Sequence, residues 1–232
     1  MSRSGFPILL SSRGHPVFPD PALADARGLV ALGGALTPEW LLAAYDRGIF
    51  PWYDEGMPPL WWSPDPRAVM DVERLHVSRS MARFIRSTEL ELTYDRAFSA
   101  VMRACGEDRE EGTWILPEML AAYARLHELG HAHSFEVWRG SELVGGLYGV
   151  QRGGLFAAES MFHRETNASK LALIASVRTL FGAGISLYDV QFLTGHLESL
   201  GAYVVSRGEY LSRLGRVRRA NVDLSRLVAR AE

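Results

Sequence analysis

In the run ISLYDVQFL (185–193) a carboxylate and an amide stand two residues apart inside an otherwise apolar segment. Strand alternation puts Asp189 and Gln191 on one face, and Tyr188, Val190 and Phe192 on the other. Such groups are costly to bury unless they are hydrogen-bonded or solvated in a cleft. Two readings fit. One is a structural network, or a strand end reaching solvent. The other is a site built on a rigid strand, with Asp189 as acceptor and Gln191 both donating and accepting. The run LFAAESMF (155–162) repeats the pattern, with Glu159 set among apolar residues. Its same-side neighbours by parity, Ala157 and Met161, are apolar, which favours a carboxylate lining a cleft over one on a solvated face.

A second group of residues has the makings of a nucleic-acid surface. Arg79, Arg83 and Arg86 fall at i, i+4 and i+7, one stripe of a short helix with no acid on it. A charge stripe is ordinarily a solvated face, but an unneutralised one in a net acidic chain also suits phosphate. Trp52 and Trp114 both sit in predicted loops, where an open ring face can stack a nucleobase; the alternative for each is core or an inter-domain seam. HELGHAH offers His127, His131 and His133, but Gly130 breaks the helix between them and no ordered ligand set accompanies them. No metal is expected. There is no G-x-x-x-x-G-K-[ST] loop, no G-x-G-x-x-G signature and no G-x-S-x-G elbow, so nucleotide hydrolysis, hydride transfer and serine-hydrolase chemistry lack their usual marks.

These residues are expected to be positioned as follows. Residues 1–36 read as an irregular arm. LTPEWLLAAYDRG reads as a helix with Thr37 as N-cap, Pro38 in the first turn and Gly48 as its stop. A Trp/Pro loop follows, then a short helix at 77–87, a strand at ELTYD and a helix at RAFSAVMRACG. PEMLAAYARLHELG is a helix, and three short runs between 131 and 162 form an antiparallel meander. NASKLALIASVRTLFGAG returns to helix, ISLYDVQF is a strand, and the remainder to Leu214 gives helix, strand and helix. The fold class is therefore α/β (α+β), with helices on the faces of a sheet. The expected division is an N-terminal domain at 1–108 and a C-terminal domain at 109–232.

The chain has 232 residues, 47% hydrophobic and 22% charged, with a formal net charge of −2. Bulk charge is therefore not what would hold a nucleic acid; a local basic patch must. The start lacks a sustained apolar h-region, and the single cysteine, Cys105, excludes an intrachain disulfide. Together these lead to an expectation of a cytoplasmic protein.

The blocks FPDP (18–21), GLVALGGALTPEWLLAAYDRGIFPW (28–52), WWSPDPRAV (61–69), LHVSRSM (75–81), REEGTWI (109–115), ELGHAHSFEVW (128–138), LVGGLYGV (143–150), ESMFHRETNASK (159–170) and LYDVQFLTGHLESLGA (187–202) stand in consistent order. Together they resemble the leucyl/phenylalanyl-tRNA–protein transferase family over about residues 6 to 214. The resemblance implies transfer of Leu or Phe, and less readily Met, from tRNA to an N-terminal Arg or Lys, marking the acceptor protein for degradation. It implies a small N-terminal domain and a C-terminal domain resembling the Gcn5-related acyltransferases. A monomer is expected, and no cofactor, because the donor is already an activated ester. By the same resemblance Trp52 and Trp114 hold the 3′-terminal adenosine, and Glu159 lies near that nucleotide and the aminoacyl group. Asp189 and Gln191 are the catalytic pair beside the reacting ester, with Asp189 orienting Gln191 or itself taking the proton. Leu147, Phe156, Met161 and Leu173 form the pocket for the Leu or Phe side chain, and Arg79, Arg83 and Arg86 face the tRNA acceptor stem. One departure is Ser176, on the helical face of Leu173, where a bulky aromatic can occur. An acyl-CoA-dependent acetyltransferase is the main rival on fold, but HRETNASK lacks the glycines that cradle a pyrophosphate.

Overall fold

The computed structural model describes residues 8–107, 113, 115–229 and 231. In chain order the elements are β1 (Ile8–Leu10), β2 (Leu29–Gly33), α1 (Pro38–Tyr45), β3 (Phe50–Pro51), β4 (Leu60–Trp62), β5 (Arg67–Met70), α2 (Arg79–Ser87), β6 (Glu91–Tyr94), α3 (Phe98–Glu107), α4 (Pro117–Glu128), β7 (Ala132–Arg139), β8 (Glu142–Arg152), β9 (Leu155–His163), α5 (Ala168–Gly182), β10 (Leu187–Gln191), α6 (Gly195–Ser199), β11 (Tyr203–Val205) and α7 (Arg207–Val217). They build a four-stranded sheet, β1-β2-β4-β3, and a seven-stranded sheet, β11-β5-β10-β9-β8-β7-β6.

The small sheet corrects two expectations. Residues 1–36 are not wholly an irregular arm, because β1 and β2 pair in parallel from Ile8–Ala31 to Leu10–Gly33. Nor is the Trp/Pro segment only a loop: β4 pairs with β2 on one side and β3 on the other. Trp61 is fully buried there, its indole N–H donating to the Gly33 carbonyl at 2.8 Å and its ring edge-on to Phe18 at 4.8 Å. α1 begins as the sequence requires, with Thr37 Oγ1 accepting from Trp40 N and proline in the first turn.

The large sheet is a mixed one. β7, β8 and β9 form the expected meander. β10 runs parallel to β9 and antiparallel to β5. One face carries Leu147, Phe156, Tyr188 and Val190 against α5 and α2. The other carries Tyr148, Ala157 and Phe162 against α3, α4 and the small sheet. α5 sinks ten side chains into the core. It reaches the sheet so closely that a Cβ on Gly145 would lie 2.5 Å from that of Ala168. Strands β5 and β6 precede residue 108 yet belong to this sheet, so a division at 108 cuts through it; the change of sheet falls at 63–66. Among the described residues no helix is long and apolar enough to cross a membrane.

Candidate active site

The parallel pairing of β9 and β10 runs only from Leu187–Leu155 to Asp189–Ala157. Beyond the last pair the two strands carry Glu159 and Gln191, and the Gln191 amide donates to Glu159 Oε1 at 3.2 Å. A cleft of about 360 Å³ opens at this point, walled by Phe50, Trp52, Glu159, Val190, Gln191 and Phe192. A concave, mostly apolar site with two polar groups converging on its floor is the usual form of a ligand site.

Both polar groups sit at irregularities that simple alternation does not give. The β8–β9 register shifts between Tyr148 and Gly149, which pair with Ser160 and Ala158 and leave Glu159 as the extra residue. Glu159 therefore keeps company with Ala157, whereas Met161 packs into the cluster on the opposite face. At the second irregularity Gln191 adopts φ 54, and Phe192 N bonds back to Val190 O at 2.6 Å. That is a tight turn in a conformation that non-glycine residues rarely adopt. It swings Phe192 out of the strand, against the expected alternation with Tyr188 and Val190. Phe192 then packs on Phe50 at 6.0 Å and on Trp52 at 5.6 Å.

Asp189 holds the turn. It is fully buried, and its oxygens accept four hydrogen bonds. Oδ1 takes Arg67 Nε at 2.8 Å and the Gln191 backbone N–H at 3.0 Å. Oδ2 takes Arg67 Nη2 at 2.6 Å and the Tyr210 hydroxyl at 2.8 Å. A carboxylate offers about four acceptor positions, so all are in use. Asp189 thus orients Gln191 through the main chain, and nothing leaves it free to take a substrate proton directly.

Arg67 is the partner that sequence reading missed. Its guanidinium lies between the Phe50 and Tyr210 rings, at 4.8 and 4.5 Å, and donates to the Gly48 carbonyl at 3.2 Å. Gly48 has φ 70, and a Cβ there would meet the Tyr210 ring at 2.7 Å. The hub therefore ties the loop bearing Trp52 to β5, β10 and α7. Burial alone would lower the Arg67 pKa, but Asp189, followed by Tyr210, holds it above the ordinary range. The signal lay in DPRAVM, where a charged residue enters an apolar strand: one buried charge calls for its opposite.

Glu159 is half-buried and lies near the hydroxyls of Tyr45 and Tyr123, which are 2.7 Å from each other. Burial raises its pKa to about 8; Asp189 adds to the rise, while Tyr45, Arg67 and Tyr123 oppose it. Burial likewise pushes both tyrosines well above their usual value, so they remain donors.

Trp52 is 42% exposed, Trp62 half-buried and Trp61 fully buried. The Trp62 indole N–H holds the Trp52 carbonyl at 2.6 Å, so Trp52 presents an open ring at the mouth of the cleft. Trp114 lies outside the described residues. Leu147, Phe156 and Leu173 are buried, and Met161 is half-buried in the same cluster; none of the four lines the cleft, although Val190 belongs to both. Ser176 is buried there too, bonding the Leu173 carbonyl and the Tyr188 hydroxyl, each at 2.8 Å. Arg79, Arg83 and Arg86 are exposed along α2, away from the cleft lining. The histidines named above do other work. His127 stacks on Phe98 at 4.5 Å, and His133 bonds Asp95 at 2.6 Å.

Comparison with known proteins covers most of the chain. The family model "Leucyl/phenylalanyl-tRNA protein transferase" matches residues 69–215, and the model for the N-terminal domain of the same family matches 34–65. Proteins named leucyl/phenylalanyl-tRNA–protein transferase from Citrobacter koseri and Escherichia coli are 53% and 54% identical over 209 residues, 89% of each chain. The solved structure of L-PGS from Bacillus licheniformis is a distant likeness: 14% identity, TM-score 0.37, 67% of this chain and 53% of that one. Matches this extensive, in sequence order and spanning both sheets, mean that the chain belongs to the leucyl/phenylalanyl-tRNA protein transferase family.

Proposed function

We propose that the protein moves Leu or Phe, and less readily Met, from its tRNA to the N-terminal Arg or Lys of a protein, which marks that protein for degradation. The observation that carries this reading is the Glu159–Gln191 pair on the floor of a cleft whose mouth is an exposed tryptophan. The donor ester is already activated, so neither ATP nor a metal is called for. The acceptor's α-amine attacks the ester carbonyl; the C–N bond forms, and the bond to the ribose oxygen breaks as that oxygen gains a proton. Such an amine has a pKa near 8 in solution, so a proton must leave it as the bond forms. Glu159, raised to about 8 and open to the cleft, is matched to that task. Gln191 orients the amine, and Asp189 with Arg67 fixes Gln191. The direct-base role for Asp189 is set aside, since its acceptor positions are filled.

Trp52 stacks the terminal adenine, and the Arg79–Arg83–Arg86 stripe meets the acceptor stem. Trp114 is proposed as the second aromatic on the same grounds of resemblance. Side-chain selection falls to Leu147, Phe156, Met161 and Leu173, with entry past Val190 requiring the flexible Met161 to move. Discrimination there is limited to about 1–3 kcal/mol per methylene. A monomer in the reducing cytoplasm suits both the tRNA donor and the lone buried Cys105.

The direct test is one incubation of Phe-tRNA with a peptide beginning in Arg, read by mass for a one-residue extension. No extension with Phe, Leu or Met removes the reading. Trp52→Ala is expected to raise KM for the charged tRNA roughly 5- to 150-fold, because base stacking contributes about 1–3 kcal/mol. Trp52→Phe should recover most of it. An unchanged KM in Trp52→Ala takes the ring out of nucleotide binding.

A further inference from the structure

A second cavity, of about 330 Å³, lies beside the cleft across α6. Thr194 and Leu197 line the cleft, while Ser199 and Leu200 line the cavity, so the two meet within about one helical turn (5.4 Å). The other walls are the start of α2, with Ser78 and Ser80, and the start of α5, with Asn167 and Lys170. The His76 backbone N–H bonds the Leu200 carbonyl at 3.0 Å and so fixes one wall to the other. The lining offers hydroxyls, an amide, an imidazole and an ammonium, and no carboxylate.

Lys170 is the only lysine among the chain's 25 Lys and Arg residues. Everywhere else the chain uses the planar guanidinium fork; here it places a compact charge with three rotatable donors, which serves an anion approached from varied directions. Resting on the function proposed above, we infer that this cavity holds a backbone phosphate of the donor tRNA's single-stranded 3′ end, just upstream of the terminal adenosine, with Lys170 as its cation and the Ser78–Ser80 pair, whose hydroxyls lie 3.0 Å apart, supplying one hydroxyl donor. The placement makes a continuous track. The terminal nucleoside enters the cleft at Trp52, the strand crosses α6, its phosphate meets Lys170, and the next cation is Arg79, the residue between the two lining serines. Arg83 and Arg86 continue the same line of exposed charge along α2. A free carboxylate ligand would fit the ammonium equally well but has no reason to be followed by that stripe. His196, on α6, is held below its ordinary value by burial and then by Lys170 and His163.

The test compares two minimal donors with an Arg-initiated peptide: phenylalanyl-adenosine, which has no phosphodiester, and the phenylalanyl ester of CpCpA, which has two. In Lys170→Met the ratio of kcat/KM for the CpCpA ester over that for phenylalanyl-adenosine is expected to fall about tenfold, carried by KM, as befits one lost charged hydrogen bond. The slope of log KM against log salt for the CpCpA ester should shrink by about 0.7, the single-strand value per phosphate. Lys170→Arg should restore both. A ratio equal to that of the unaltered protein, or an equal loss with both donors, overturns the inference. An unaltered protein that extends no peptide from either donor or from Phe-tRNA overturns the parent reading and this one with it.

Discussion

Asp189→Asn is expected to lower the melting temperature by roughly 6–20 °C, since stranding a buried charge costs about 3–5 kcal/mol and each kcal/mol is worth about 2–4 °C in a chain of this size. The substitution leaves the Arg67 guanidinium, 1% exposed, without the carboxylate that accepts its 2.6 and 2.8 Å bonds. One carboxylate oxygen becomes an amide NH2, so either the Tyr210 hydroxyl or the Gln191 backbone N–H loses its acceptor as well. Replacing both charges by apolar residues of similar volume, Arg67→Met with Asp189→Leu, should recover much of the lost stability, because no unpaired charge then remains. Thermal melts of the two variants settle the stability half. A melt of Asp189→Asn within 2 °C of the parent would contradict a closed Arg67–Asp189 pair. The catalytic half is read well below both melting points. There Asp189→Asn should lose activity through misplacement of Gln191, whose φ of 54 the carboxylate secures through the backbone N–H. The variant should nonetheless keep an enzyme-borne ionisation in its pH profile, moved to lower pH because Asp189 is one of the groups that raise Glu159. Were Asp189 itself the base, that ionisation would vanish.

Local signals carried much of the fold, and the failures share a cause. Thr37 and Pro38, the Ser78 cap of α2, and Pro117 with Gly130 (φ 75) around α4 are short-range devices, and each stands where its chemistry requires. The meander was legible because its turns are Gly-rich and its runs alternate. β2 was not, since LVALG is short and its partners at 8–10 and 60–62 lie far along the chain. In the site, the residue types at 159, 189 and 191 were readable as polar groups in apolar strands. Their geometry was not: two one-residue irregularities decide which faces Glu159, Met161 and Phe192 take, and parity has no means of registering them. Arg67, Tyr210, Tyr45 and Tyr123 come from four other elements, and a tyrosine in an apolar stretch looks like core until its hydroxyl's partner is known.

Glu159→Gln should change the form of the pH dependence as well as the rate. Two groups must be deprotonated for attack by the route proposed here: the acceptor amine, near 8, and Glu159, about 8 by burial. Below both values log kcat/KM for the peptide should therefore climb with a slope approaching 2 per pH unit. In Glu159→Gln only the amine remains, so the slope should approach 1, and the plateau should drop by about 10²–10⁴, the usual worth of a positioned base. A stability measurement gives an independent reading of the same group. Its folded pKa lies above the unfolded value of 4.5, so the folded state binds the extra proton between the two. Its contribution is then fully present below pH 4.5 and is lost as pH rises through about 8. Denaturant titrations at pH 5, 7 and 9 should show that decline in the parent and a flatter profile in Glu159→Gln, whose amide does not ionise. A variant that keeps both the steep rate profile and the full decline would move the proton acceptor away from Glu159, leaving water or the ribose hydroxyl to take it; a variant that loses both makes Glu159 the group that sets the working pH of the cleft.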